Sequence, residues 1–324
     1  LSFITEQVAE HTNGTIGALL NATFGNAPEL LISVAALRAG FYRVVQLAML
    51  GSMLTNMLLV FGVSCWIGGC RYQVQELRTT SGSVSVTMLL VATAGSLFPA
   101  ALRLSGQMPT DNIHANVPTM EEVTFCRVNA VVMLILYVAY LVFQLGTHKE
   151  DNDESHAHVH SFSEHDVHSG GPLISMRVGV IWLFVITLCI SAMSDILIET
   201  IDSFSQRMHL SQVFTSMVII PFFSNVAEQV SAFLFAYRNE MDLCVGVTVG
   251  SAVQIATFVL PGSVLIGAVM DRSMTLYFHG YETTCLFFGT IVTVAVLQGG
   301  TSNWLTGAMM VGIYVMMATG VYFH

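Results

Sequence analysis

Apolar residues in this chain fall in long unbroken runs rather than in alternating stripes. Nine runs have the length of a membrane crossing: 15–37, 44–69, 83–103, 124–146, 173–198, 211–236, 243–270, 282–298 and 303–323. About 20 apolar residues carry a helix across the hydrocarbon core, so each run predicts one transmembrane helix. Links such as Arg38 to Arg43 and Arg238 to Asp242 are short and favour helical hairpins. Barrel strands would span about ten residues and alternate strictly. The pattern predicts an all-α polytopic membrane protein embedded in the lipid bilayer.

Composition agrees. Of 324 residues, 54% are apolar and 10% charged, and mean hydropathy is +0.68. Soluble domains carry about 25% charged residues. With 11 Lys+Arg against 21 Asp+Glu, the formal charge of −10 offers no basic surface to nucleic acid. Cys65, Cys70, Cys126, Cys189, Cys244 and Cys285 are scattered, without a CxxC pair, and read as small buried apolar residues. The 18 Met residues read as flexible packing. Lys and Arg divide evenly between alternate loops, so charge does not orient the chain. One loop differs from the rest: residues 148–171 hold six His and six acids. It reads as a solvated linker, or as a weak sensor of divalent cations or pH.

The chain repeats itself. Gly25-Asn26-Ala27-Pro28-Glu29 resembles Ser224-Asn225-Val226-Ala227-Glu228, and Gly51-Ser52 resembles Gly250-Ser251, both at an offset of 199 residues. The two motifs sit on the first and sixth runs, so the copies face opposite sides of the membrane. An inverted repeat of this kind places a substrate site near the midplane, where the halves meet. Residues 1–147 then form the first half, 148–172 the linker and 173–324 the second half. The opening residues, with Glu6 and Glu10, read as the tail of a helix whose beginning is absent. The halves would therefore hold a helix tail plus four complete spans, then five spans.

Charged side chains at a helix centre in the membrane are expensive, about 2.5–3.5 kcal/mol for Asp on translocon scales, and Glu29 and Glu228 lie inside apolar runs. Each follows an Asn by three residues, so Asn26 and Glu29 share a helix face, as do Asn225 and Glu228. Facing each other, the copies offer two carboxylates and two amide oxygens, suited to a hard divalent cation such as Ca²⁺. Neither motif holds Cys or His, which disfavours a soft metal. Pro28 cannot donate to the carbonyl of Phe24, and a carbonyl released at membrane depth can line a cavity. A buried carboxylate is unfavourable as a bare anion and takes a proton or a cation. Cation and proton then compete for Glu29 and Glu228, which is the logic of an antiporter. Ser52, Asn56, Ser251 and Gln254, on the spans after each motif, support that site or pack the helices. Asp195, Glu199 and Asp202 form either a cation entrance or an ordinary solvated helix end, and Glu6 and Glu10 read the same way.

At these residues a family resemblance emerges. LLNATFGNAPELLISVAALRAG and IIPFFSNVAEQVSAFLFAYRNEMDLCVGVTVGSAVQIATFVLP resemble the two signatures of the calcium/proton exchangers, a branch of the calcium/cation antiporter superfamily. VVQLAMLGSMLTNMLLVFGVSCWIGG, LILYVAYLVFQLGTH and TSNWLTGAMMVGIYVMMA extend the likeness over nearly the whole chain. The resemblance implies eleven spans in two inverted halves joined by an acidic cytosolic loop. It also implies export of cytosolic Ca²⁺, or another divalent cation, into a vacuole or similar acidic store in exchange for protons. It carries the central glutamates onto Glu29 and Glu228 and the motif asparagines onto Asn26 and Asn225. Four positions depart from the family pattern: Pro28, Ser224 in place of Gly, Gln229 in place of a frequent His, and Gly299-Gly300-Thr301 in place of an acidic turn.

Three readings follow. The first is Ca²⁺/H⁺ antiport without a cofactor. The second is an exchanger driven by Na⁺ or selective for Mn²⁺. The third is a membrane protein that senses cations or scaffolds a partner without transport. An enzyme is not expected, because no nucleophile–base set, phosphate loop or HExxH occurs.

Overall fold

A computed structural model describes residues 2–12, 17, 20, 23–77, 79–105, 119–144 and 174–323. Helix α1 (Ser2–Glu10) precedes the first motif. Helix α2 is Ala27–Ala39, and α3 is Tyr42–Leu54. The chain then winds through a π-helical segment, Thr55–Val60, into α4 (Phe61–Arg71). Three long helices follow: α5 (Thr79–Leu104), α6 (Met120–Val142) and α7 (Met176–Arg207). A short α8 (Gln212–Phe214), a π-helical segment Thr215–Ile219, α9 (Ile220–Ser224) and α10 (Val226–Tyr237) carry the second motif. Then come α11 (Met241–Gln254), the π-helical segment Ile255–Val259 and α12 (Leu260–Val269). Helices α13 (Gly280–Gln298) and α14 (Trp304–Phe323) complete the chain.

Among the described residues, seven helices are long and apolar enough to cross a membrane, and a bent pair makes an eighth. Most predicted edges shift by a few residues. Helix α7 runs on to Arg207, well past the predicted edge at 198, because it continues amphipathically: Ile198, Ile201 and Ser205 are buried while Glu199 and Asp202 are exposed. The predicted first and sixth spans are not straight. The sixth bends by 58° at Asn225. In the first, where residues 15–16, 18–19 and 21–22 lie outside the described set, a helical turn at 23–25 gives way at Asn26 to α2. Loop 148–171 also lies outside the described residues. Of the cysteines, Cys70 and Cys189 are exposed rather than buried; both stand on the surfaces of membrane helices, where an apolar side chain can face lipid.

The repeat is written in the backbone. Asn26 has φ −103°, ψ 16° and Asn225 has φ −95°, ψ 18°. Each half-helix ends at a residue of positive φ, Gly40 (82°) and Asn239 (66°), again 199 apart. The next helices begin at Tyr42 and Met241, and both turn π-helical after about four turns, at Thr55 and Ile255. Four described spans lie between the two breaks, so the copies run in opposite directions.

Helices in lipid gain little from apolar burial against one another, and close backbone approach matters instead. A Cβ on Gly51 would collide with the carbonyl of Met217, and one on Gly307 with the backbone of Gly62 and Trp66. A continuous core joins the halves, with Met53, Leu54 and Met57 of the first half and Val249, Val253 and Ala256 of the second all fully buried.

The halves are tied at both membrane faces, by different chemistry. On the face of Gly40, Arg43 pairs with Glu282 and also donates to Gln46 Oε1 (2.9 Å), while Gln46 donates to the Thr275 carbonyl (2.9 Å). On the face of Asn239, two residues of each half form an antiparallel bridge, β1 (Gln75–Glu76) with β2 (Thr301–Ser302). The buried Gln75 donates from there to the Ala236 carbonyl (3.1 Å) and to Asn239 Oδ1 (2.9 Å).

Candidate functional site at the paired helix breaks

Both glutamates stand in the first turn of a half-helix, just after a break. Pro28 does not cause that break. It occupies the first turn of α2, where its missing N–H would lack a helical partner in any case. The second copy breaks in the same conformation with Ala227 at that position. The asparagines are the shared feature, and the carbonyls of Asn26 and Asn225 accept the first bonds of the helices that follow, from Leu30 (3.1 Å) and Gln229 (3.0 Å). Phe24, half-buried, lies in the turn before the first break.

Glu29 is 3% exposed and Glu228 half-buried. Glu29 lies within electrostatic range of Glu228. The ion pairs among the described residues are Arg43–Glu282, Arg103–Glu122 and His279–Glu282, none of which engages either glutamate. Two bonds cross from half to half around them. Asn26 Nδ2 donates to Gln254 Oε1, and Asn56 Nδ2 donates to Ser251 Oγ (3.1 Å). Asn56 therefore spends its amide nitrogen on the protein and keeps its oxygen.

Four buried oxygens in these elements lack a hydrogen-bond partner among the described residues: Glu29 Oε2, Glu228 Oε2, Asn56 Oδ1 and Asn225 Oδ1. Buried polar atoms are nearly always paired, because an orphan forfeits its hydration. Here the orphans come from two carboxylates and two amides. The π-helical turn at Asn56 packs against α10 and α11, and π-turns are frequent at functional sites. Such an oxygen set suits a hard cation, and the same carboxylates can hold protons. Among the described residues no three His, Cys, Asp or Glu side chains come together.

Ser52 is buried beside Asn56 on the same span. The departures Gln229 and Ser224 serve the break itself. Gln229 Nε2 donates to the Phe222 carbonyl (2.8 Å), stapling α10 to α9, and Ser224 Oγ donates to the Pro221 carbonyl (3.4 Å). Asp195 is half-buried, Glu199 is exposed and Asp202 accepts from Gln212 (2.9 Å). The side chains of Glu6 and Glu10 lie outside the described residues. Sequence reasoning missed Thr55, whose hydroxyl shares a buried hydrogen bond with Tyr314 (3.1 Å). Thr55 matches Gln254 at the offset of 199, which is the signal that could have found it.

Sequence comparison decides the family. The family described as sodium/calcium exchanger protein matches residues 1–146 and, separately, 178–323. The chain belongs to that family. Among curated proteins, it is 36% identical to the vacuolar calcium ion transporter of Schizosaccharomyces pombe over 325 residues, covering all of this chain and 76% of that protein. It is 37% identical to vacuolar cation/proton exchanger 5 of Arabidopsis thaliana, covering all of this chain and 72% of that protein. Its structure resembles native YfkE, with TM-score 0.79 at 29% identity, over all of this chain and 88% of that one. The fold also matches that of the H⁺/Ca²⁺ exchanger CAX, with TM-score 0.67 at 14% identity, over 99% and 82% of the two chains. The chain is thus an all-α, multi-pass membrane member of the calcium/proton exchanger branch.

Proposed function

We propose that this exchanger is a secondary antiporter that moves Ca²⁺ across a vacuolar or other acidic-organelle membrane in return for protons. One observation carries the reading: two carboxylates, each with a buried oxygen and without a basic partner among the described residues, stand at paired helix breaks beside two amide oxygens that are likewise unpaired there. Left bare, two facing carboxylates repel each other and lose their hydration. A divalent cation satisfies both at once, and so does protonation. The two states exclude each other, which couples the fluxes. Asn26, Asn225 and Asn56 contribute amide oxygens, and Ser52, Ser251 and Gln254 set their orientation. The names of the relatives, among them a vacuolar calcium ion transporter and a vacuolar cation/proton exchanger, support the same ions and membrane.

The test is ⁴⁵Ca²⁺ uptake into proteoliposomes under an imposed pH gradient, with Glu29→Gln and Glu228→Gln alongside. Uptake should collapse with a protonophore and in both variants. Uptake that follows a Na⁺ gradient instead would overturn the proton coupling. Folded protein with no gradient-driven uptake of Ca²⁺ or Mn²⁺ would overturn transport altogether.

A further inference from the structure

The helix formed by α3, the π-turn and α4 is the most enclosed of the described spans, with 94% of its apolar stretch buried. Its exposed residues, Trp66, Cys70 and Arg71, lie together near its end. Val63, Trp66, Ile67 and Cys70 follow the i, i+3, i+4, i+7 rule and form a single stripe. With Arg71 and Tyr237 they line an open groove of about 590 Å³. The adjoining side of the same two turns is occupied, for Gly62 and Gly69 lie against α14. The second wall, Tyr237, is the last residue of the half-helix that begins beside Glu228.

The groove is graded along its length. Its inner part is apolar. Its mouth, at the membrane face of Asn239, is capped by the exposed Arg71, whose guanidinium lies over the ring of Tyr237 (4.2 Å) and near that of Tyr72 (5.5 Å). None of the ion pairs among the described residues involves Arg71. Stacking on aromatic rings holds the guanidinium in place and leaves N–H donors for an anion. Arginine and aromatic residues at a span end sit at headgroup depth, and two helical turns carry the stripe about 10 Å into the hydrocarbon.

We propose that this groove binds one phospholipid with an anionic headgroup, its phosphate on Arg71 and an acyl chain along Val63, Trp66 and Ile67. Charge complementarity at the mouth and apolar walls below select that occupant over a free anion, which would leave the walls bare, and over a partner helix, which would bury the guanidinium unpaired.

Native mass spectrometry of the intact, detergent-purified chain tests this, titrated with palmitoyl-oleoyl phosphatidylglycerol or the matching phosphatidylcholine. One phosphatidylglycerol per chain should be retained preferentially. Arg71→Gln should weaken that retention about five-fold, the worth of one basic residue at an anionic membrane surface, with phosphatidylcholine unaffected. Ile67→Trp, which fills the groove, should reduce both lipids. Millimolar inorganic phosphate should not displace the lipid. Equal retention by the wild type and Arg71→Gln, or displacement by phosphate, would overturn the proposal. A dimer that Ile67→Trp dissociates would make the groove a protein interface instead. Unchanged melting temperatures would show that each variant is folded, and the readout does not depend on which ions the protein exchanges.

Discussion

Asn26 Nδ2 donates to Gln254 Oε1, whereas the side chain of Asn225, its partner in the repeat, makes no hydrogen bond among the described residues. The difference follows from one position. Gln254 is long enough to cross to the opposite half, while Thr55, its counterpart, is short and turns to Tyr314. The first amide is held by the opposite half, and the second is not held by any described residue.

Gln254→Ala should therefore loosen Asn26 without touching the glutamates. A neutral buried hydrogen bond is worth about 1 kcal/mol, so the apparent KM for Ca²⁺ should rise roughly five-fold. Thr55→Ala leaves Asn225 as it was, and its effect on KM should be smaller. Initial-rate kinetics in proteoliposomes separates the two, and equal effects would sink this asymmetry.

The staple across the second break yields another expectation. Gln229→Leu removes the donor to the Phe222 carbonyl and should reduce maximal transport more than affinity, because it loosens the angle between α9 and α10. Gln229→His keeps a ring N–H in that region and should retain most of the rate. A pure KM effect in Gln229→Leu would place residue 229 in the ion site instead.

Gly40 and Asn239 hold the same left-handed turn. Asparagine tolerates that region and β-branched residues do not. Gly40→Asn should leave the melting temperature almost unchanged, while Gly40→Val should destabilise by about 1–2 kcal/mol. Gly51 answers to a different constraint, the carbonyl of Met217. Gly51→Ala should cost about 1–3 kcal/mol through overpacking, visible as a drop in thermal stability in detergent.

Much of this was legible in the sequence. Apolar run length located the spans because lipid imposes one helix length, and the offset of 199 exposed the inverted copies through Asn26/Asn225 and Glu29/Glu228. What stayed hidden depends on three-dimensional detail. Run length cannot register a bend that costs no polarity, so the break at Asn225 was invisible. Pro28 drew attention that belonged to the asparagines, since only one copy carries a proline. Gln229 stood out only as a departure from the family pattern, and its bond to Phe222 depends on the bend that run length does not show. The bridge between Gln75–Glu76 and Thr301–Ser302 is too short to leave a periodic signal.

Arg43→Gln would leave the buried Glu282 carboxylate with weaker compensation. Because Arg43 is itself partly exposed, the loss should be about 1–2 kcal/mol, below that for a fully buried pair. A double-mutant cycle with Glu282→Gln measures the coupling, and additive losses would show that the pair contributes nothing.

That pair stands on one side of the bilayer, while Gln75 and its two-residue bridge stand on the other. Coulombic attraction is screened by dissolved ions, whereas amide hydrogen bonds between neutral groups are almost indifferent to them. The protein therefore carries one clasp that electrolyte can loosen and one that it cannot. Salt added to the compartment that bathes Arg43 should therefore relax the ionic clasp, while salt added opposite leaves the amide clasp in place, which turns an ordinary ionic-strength titration into a means of telling inside from outside.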